Sequence, residues 1–161
     1  MTPIADLCDQ YADKINVVMP IGFQSFGAKK AFGGAIATIK CFEDNSLVKQ
    51  YLQQAGEQRV LVVDGGGSLR CALVGDNLAT LAINNGWAGL VVYGCIRDSA
   101  VIDTLDVGIK ALGTHPMKSI KKNQGETDIP VTFAGTLFTP GHFLYADADG
   151  IIVATEKLID S

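Results

Sequence analysis

The sequence predicts an α/β domain with a β-rich second half, and three observations carry that expectation. Two continuous apolar runs, at residues 60–64 and 88–93, have the length of strands buried on both faces of a helix-covered parallel sheet. Segments of helical length precede each run and carry apolar residues at helical spacing: Leu47, Val48, Tyr51 and Leu52, then Leu78, Leu81 and Ala82. Beyond residue 130 the pattern changes to short strands separated by Gly, Pro and Asp turns, which points to antiparallel or barrel-like pairing. No linker, repeat or low-complexity tract divides the 161 residues, so one domain spanning 1–161 is expected.

Each element has a local cause. Thr2-Pro3 reads as an N-cap followed by Pro at the first helical position, opening a helix through Leu7, Cys8 and Tyr11. Residues 34–42 alternate loosely and contain Ile36, Thr38 and Ile39, which suits a strand. Asp44 or Asn45 can cap the next helix, and Gly56 can end it. The strand at 59–64 runs into Gly65-Gly66-Gly67-Ser68, which matches no nucleotide-binding fingerprint and reads as a tight turn or a close substrate contact. A short strand is expected at 69–74 and a helix beginning at Gly75-Asp76-Asn77-Leu78 and ending near Gly86. The strand from Ala88 then delivers Arg97-Asp98, and another candidate follows at 107–112. The later strands fall at 131–133, 136–138, 143–145 and 151–154.

Composition removes several function classes. A chain of this length buries about 68–70% of the surface its unfolded form exposes, so neither metal nor disulfide is needed to hold the fold. The net charge of −4 argues against nucleic-acid binding. The one dense basic run, Lys118 to Lys122, lacks interleaved aromatics and reads as a solvated loop. No apolar stretch approaches the roughly 18 residues of a membrane span, and no secretory leader opens the chain, so a cytoplasmic protein is the expectation. Cys8, Cys41, Cys71 and Cys95 are too widely spaced for a zinc or redox motif and read as small hydrophobes.

Chemistry concentrates around Arg97-Asp98, placed where open α/β sheets hold their ligands. The rigid fork of Arg97 matches a carboxylate, and Asp98 offers hard oxygen suited to Mg²⁺ or Mn²⁺. From the residues alone the two can equally form an ordinary surface pair. The N–H groups at the start of the Gly75 helix can hold an anionic oxygen, while Asp76 can cap that helix, order the hydration of a metal, or do both. Asp64 faces either a site or its own turn. His115 and His142 lack ligand or triad spacing and read as structural, and Asp147-Ala148-Asp149-Gly150 reads as a turn rather than a calcium loop.

Several segments are familiar as a set. Val17-Val18-Met19-Pro20, Phe32-Gly33-Gly34, Lys40-Cys41-Phe42-Glu43-Asp44-Asn45, the run from Val60 to Ser68, and Tyr145-Ala146-Asp147 closely resemble the regulator of ribonuclease activity A family. That family also contains the metal-dependent 4-hydroxy-4-methyl-2-oxoglutarate aldolases, and the resemblance covers nearly the whole chain. It implies a three-layer β/β/α sandwich of the swivelling-domain type, assembled as a homotrimer with sites near subunit boundaries. It also implies a pyruvate site formed by Gly75, Asp76, Asn77, Leu78 and Arg97, with a divalent cation, Mg²⁺ or Mn²⁺, at Asp98. Arg97, Asp98 and Asp76 would be catalytic. The implied activity is cleavage of 4-hydroxy-4-methyl-2-oxoglutarate to pyruvate, with oxaloacetate decarboxylation as a companion. The alternative is a protein that binds and inhibits ribonuclease E. Retention of Asp98 favours the lyase, whereas Val101 stands where aldolase-type members tend to carry an acid, with Asp103 out of register.

Overall fold

The computed structural model describes residues 1–159. In chain order its first elements are α1 (Ile4–Tyr11), β1 (Ile15–Val17), β2 (Gln24–Phe26), β3 (Phe32–Lys40), α2 (Ser46–Leu52), β4 (Val60–Asp64), β5 (Ala72–Val74) and α3 (Asp76–Asn84). There follow β6 (Gly89–Ile96), α4 (Ser99–Ile102), β7 (Ile109–Thr114), β8 (Glu126–Thr127), β9 (Val131–Phe133), β10 (Thr136–Phe138), β11 (Phe143–Asp147) and β12 (Gly150–Ala154).

The centre is a parallel sheet, β3-β4-β6-β7, edged by antiparallel β2. Parallel neighbours need crossovers, and α2, α3 and α4 lie in those three connections. Alternation divides the strands between two cores. Leu61, Val63, Leu90 and Val92 face the helices and pack with Val48, Leu52, Ala79 and Ala82. Val60, Val62 and Val91 face the opposite way, toward Phe133, Phe138, Leu144 and Val153. All five residues of β4 are buried, which explains its uninterrupted apolar pattern.

Strand β3 belongs to two layers. Residues 32–35 pair with β11, whereas residues 36–40 pair with β4. The β11-β12-β1 ribbon continues from that handover, with Leu144, Ala146, Ile151 and Val153 turned toward the central sheet. Its other face carries Tyr145 and Ile152, covered by Ile4 and Leu7 of α1. Helices, parallel sheet and β ribbon thus form a single-domain α/β sandwich with the expected β/β/α layering. No described helix is long and apolar enough to cross a membrane.

The departures from expectation are local. Pro3, rather than Thr2, occupies the N-cap of α1, and the distant Asp147 accepts the Ile4 N–H at that end at 2.9 Å. Elements β1, β2, β8 and α4 span only two to four residues, too few to establish a period. The strand expected from residue 69 starts at Ala72, and the one expected from 107 starts at Ile109. Strand β6 runs two residues past Gly94, because β5 and β7 still flank Cys95 and Ile96.

Asp44 sets the start of α2 and fixes a distant loop. Its Oδ1 accepts the Ser46 N–H at 2.9 Å and the Ser46 hydroxyl at 2.6 Å. Its Oδ2 accepts the N–H groups of Lys122 and Gln124 at 2.9 and 3.1 Å. Burial pushes the Asp44 carboxyl up, but these donors together outweigh it and hold the group down to about 2. A depressed native value adds stability above the ordinary carboxylate range and loses it as pH falls through the native value. Native protein should therefore exceed D44N in urea stability by about 2 kcal/mol at neutral pH. That difference should disappear between roughly pH 4 and pH 2.

Candidate active site

Sheet order brings the two sequence candidates together. Strands β5 and β6 lie side by side and parallel, so α3 begins beside the end of β6. The Arg97 N–H donates to the Val74 carbonyl at 2.9 Å, and the Asp76 N–H donates to Asp98 Oδ2 at 3.1 Å. Asp98 adopts a left-handed backbone (φ 57°) at the N-cap of α4, a conformation Asp tolerates better than most residues. Gly75 makes this contact possible: a Cβ there would sit 2.8 Å from Asp98 Oδ2 and 3.6 Å from Arg97 Cγ and Nε.

Arg97 and Asp98 do not pair with each other among the described residues; the recorded ion pair is Arg70–Glu43. Arg97 Nη1 reaches the Pro116 carbonyl at 3.5 Å, and the Asp98 carboxylate points back to α3. The surface-pair alternative therefore does not describe these residues. The helix N–H of Asp76 is occupied, while those of Asn77 and Leu78 find no acceptor among the described residues.

A cavity of about 520 Å³ joins all six candidates, Gly75, Asp76, Asn77, Leu78, Arg97 and Asp98. Its remaining wall was not anticipated. Lys49 of α2 and Lys118, Ser119 and Lys121 from the basic loop also line it. The loop is solvated, as expected, but it is not remote. Ala72 donates to the Met117 carbonyl at 2.8 Å, and Asn45 donates its N–H to Ser119 Oγ at 3.1 Å. The Asn45 side chain donates to the Leu73 carbonyl and accepts from Lys121 Nζ, at 2.9 and 2.6 Å. Four cationic side chains then oppose the two carboxylates Asp76 and Asp98, which suits a ligand with more than one negative group. The three-lysine run Lys118 to Lys122 was the available signal, and lacked only the pairing that folds it over the cavity.

Other candidates fall away from the cavity. Asp64 accepts the Gly66 N–H at 3.0 Å and caps its own turn. His115 Nδ1 accepts the Met117 N–H, and Asp147 accepts the Asp149 N–H within the β11–β12 turn. Asp103 accepts the Gly27 N–H at 2.8 Å, so it does not serve the site in place of exposed Val101. Burial raises the thiols of Cys71 and Cys95, and pushes Cys41 up to about 12, as inert core cysteines require.

The donor set fits a hard divalent cation held largely by water and ligand oxygens. Among the described residues Asp98 Oδ1 has no hydrogen-bond partner, and Asp76 lines the same space. No cluster of three or more His, Cys, Asp or Glu side chains occurs among the described residues, so any cation there would rely on oxygens supplied from outside the protein.

Comparison with known proteins places the whole arrangement in context. A family model described as RraA-like, Aldolase/RraA, matches residues 4–153. A protein of Alkalilimnicola ehrlichii with the provisional name 4-hydroxy-4-methyl-2-oxoglutarate aldolase is 57% identical, over 99% of this chain and 98% of its own. The RNA-processing inhibitor RraA of Thermus thermophilis superposes with a TM-score of 0.94 at 42% identity, covering 99% of this chain and 96% of that one. A Geobacillus kaustophilus structure described as an S-adenosylmethionine:2-dimethylmenaquinone methyltransferase gives 0.95 at 48% identity, covering 98% and 97%. With nearly the full chain matched in sequence and in fold, this protein belongs to the RraA-like (Aldolase/RraA) family.

Proposed function

We propose that the protein is a divalent-cation-dependent lyase that cleaves 4-hydroxy-4-methyl-2-oxoglutarate to two molecules of pyruvate, and also decarboxylates oxaloacetate. The supporting observation is the single cavity that combines Arg97, Asp98 and the open N-terminus of α3 with a lysine-rich wall. The 57% identity to a relative bearing the aldolase name supports the same reading. The methyltransferase description of the Geobacillus neighbour is not favoured, because no aromatic side chain lines the cavity to stack on an adenine.

In this reading Arg97 takes the carboxylate of the 2-oxo acid end through its planar fork. The N–H groups of Asn77 and Leu78 receive an oxygen of the same end and favour the enolate charge as it develops. Lys49, Lys118 and Lys121 hold the distal carboxylate and so orient the bond to be broken. A Mg²⁺ or Mn²⁺ ion held by Asp98, with Asp76 beside it, would supply Lewis-acid polarisation of the 2-oxo group. Asp76, directly or through water, removes the proton of the C4 hydroxyl; the C3–C4 bond then breaks, and the electron pair passes to the pyruvate enolate. Return of a proton to the methylene carbon completes the second pyruvate. With oxaloacetate the departing group is CO₂, and the same enolate results. The proposal includes the homotrimer that the resemblance implies.

A second reading, inhibition of ribonuclease E by direct binding, draws support from the 42% identical RNA-processing inhibitor. Saturable capture of ribonuclease E by immobilised protein would support it, and its absence would count against it.

The lyase reading is tested by pyruvate release with Mg²⁺ or Mn²⁺. D98A should lower turnover at least about a hundredfold, and R97M should raise KM at least about tenfold. Unchanged turnover in both variants would overturn the site. K121M should raise KM for the dicarboxylate about fivefold with kcat little altered, since it acts on binding at the far end. In G75A the new methyl meets a movable carboxylate, so unfolding stability should change by less than about 1 kcal/mol while activity falls with Asp98 displaced.

A further inference from the structure

Lys110 is a buried charge that the proposed chemistry does not use. Its neighbours Ile109 and Ala111 on β7 face the helices, so alternation turns Lys110 to the opposite side of the sheet. It is only 4% exposed, yet it makes no hydrogen bond or ion pair among the described residues. Among the described residues no fully buried side-chain nitrogen or oxygen lacks a partner, so the unpartnered Lys110 ammonium retains some accessible surface. Lys110 lines a separate cavity of about 270 Å³. Apolar Val17, Met19, Phe23 and Ile151 line it together with Lys110 and exposed Asp149.

The charges around Lys110 do not satisfy it. Asp147 is engaged elsewhere, its Oδ2 accepting the Ile4 N–H and its Oδ1 the Asp149 N–H. Asp149 lies near without forming an ion pair, and Lys30, which donates to the Gly27 carbonyl, adds a like charge. Burial consequently holds the Lys110 ammonium below the ordinary lysine range, with Lys30 adding to the effect and the two aspartates opposing it. An ammonium withdrawn from water without a partner is costly, and a carboxylate arriving through the cavity would offset that cost.

We propose that this cavity is a second ligand site, where Lys110 receives the carboxylate of a small monoanion whose apolar part rests on Val17, Met19, Phe23 and Ile151. One cation on the wall fits one carboxylate, and Asp149 disfavours a second. The selectivity is the reverse of the larger cavity, where several cations surround the ligand space. The volume lies just below the roughly 300 Å³ at which drug-sized pockets begin, so the ligand is metabolite-sized. The inference rests on no part of the lyase reading.

Butanoate is a suitable probe, with succinate as the dianionic comparison, in an amide NMR titration of the full chain. Butanoate should shift the amides of residues 17–23 and 148–151 saturably and leave those of residues 75–78 in place. Succinate should not. Replacing Lys110→Met should weaken butanoate at least about tenfold. In the native protein, saturating butanoate should move the titration of the Lys110 side-chain resonances to higher pH, because an anion favours the charged amine. The titration of native Lys110 decides the matter even where K110M fails to fold. The proposal is overturned by an absence of saturable shifts, by equal butanoate affinity in K110M, by equal response to succinate, or by an unmoved Lys110 titration.

Discussion

The candidate site depends on one close approach, between the backbone at Gly75 and the carboxylate of Asp98. Two hydrogen bonds stitch the ends of β5 and β6 together, Arg97 N–H to Val74 carbonyl and Asp76 N–H to Asp98 Oδ2. The second uses a carboxylate to satisfy one of the free donors of α3, which is also favourable for the helix dipole. A Cβ at Gly75 would crowd the second, lying 2.8 Å from Asp98 Oδ2, while leaving Arg97 at ordinary contact distance. Asp98 pays for the geometry with a left-handed backbone, and the α4 turn after it holds that backbone through the Ile102 N–H to Asp98 carbonyl bond. A carboxylate fixed in this way has one oxygen oriented by the protein and the other directed by default to whatever occupies the cavity.

What the sequence made legible follows from where each signal is stored. Strands β4 and β6 and helices α2 and α3 write their environment into their own residues, because burial on two faces or one forces an apolar run or a stripe. The six candidate residues that line one cavity were legible as two local motifs, 22 positions apart between Asp76 and Asp98. The lysine wall was not. Its position depends on the Met117 carbonyl meeting Ala72, on Ser119 meeting Asn45, and on Asp44 holding Lys122 and Gln124. Those contacts join segments 45 to 80 residues apart, and no periodicity within the loop encodes them. Lys110 was hidden for the opposite reason: a single cation inside an apolar strand leaves the strand pattern intact.

The two cavities show how the same fold can treat charge in different ways. Around Arg97 the cations are exposed and solvated, so they attract anions at modest cost and lose strength with salt. Lys110 is desolvated, so its charge is carried at the expense of local stability until a partner arrives. Both stand on the central sheet, the first at the carboxyl ends of β5 and β6 and the second on the face turned away from the helices. Edge strand β2, paired with β7 at Ser25 opposite Lys110, keeps the lysine off the sheet margin.

Within the lyase reading, the proton-handling role falls on Asp76 by a physical argument. Val101 is exposed on α4 and carries no titratable group, so it cannot supply the acid that the family resemblance implies at this position. Asp103 accepts the Gly27 N–H and lies outside the cavity lining, so moving it inward would abandon that donor. Both histidines also lie outside the lining, and Asp98 is committed to α3 through one oxygen. Asp76 is the remaining described carboxylate on the cavity wall, and its side chain has no hydrogen-bond partner that would hold it still. It stands at the first position of α3, beside the N–H groups of Asn77 and Leu78. From there Asp76 can take the proton of the substrate hydroxyl directly or through an ordered water, while the developing enolate charge is met by Arg97 and the α3 donors.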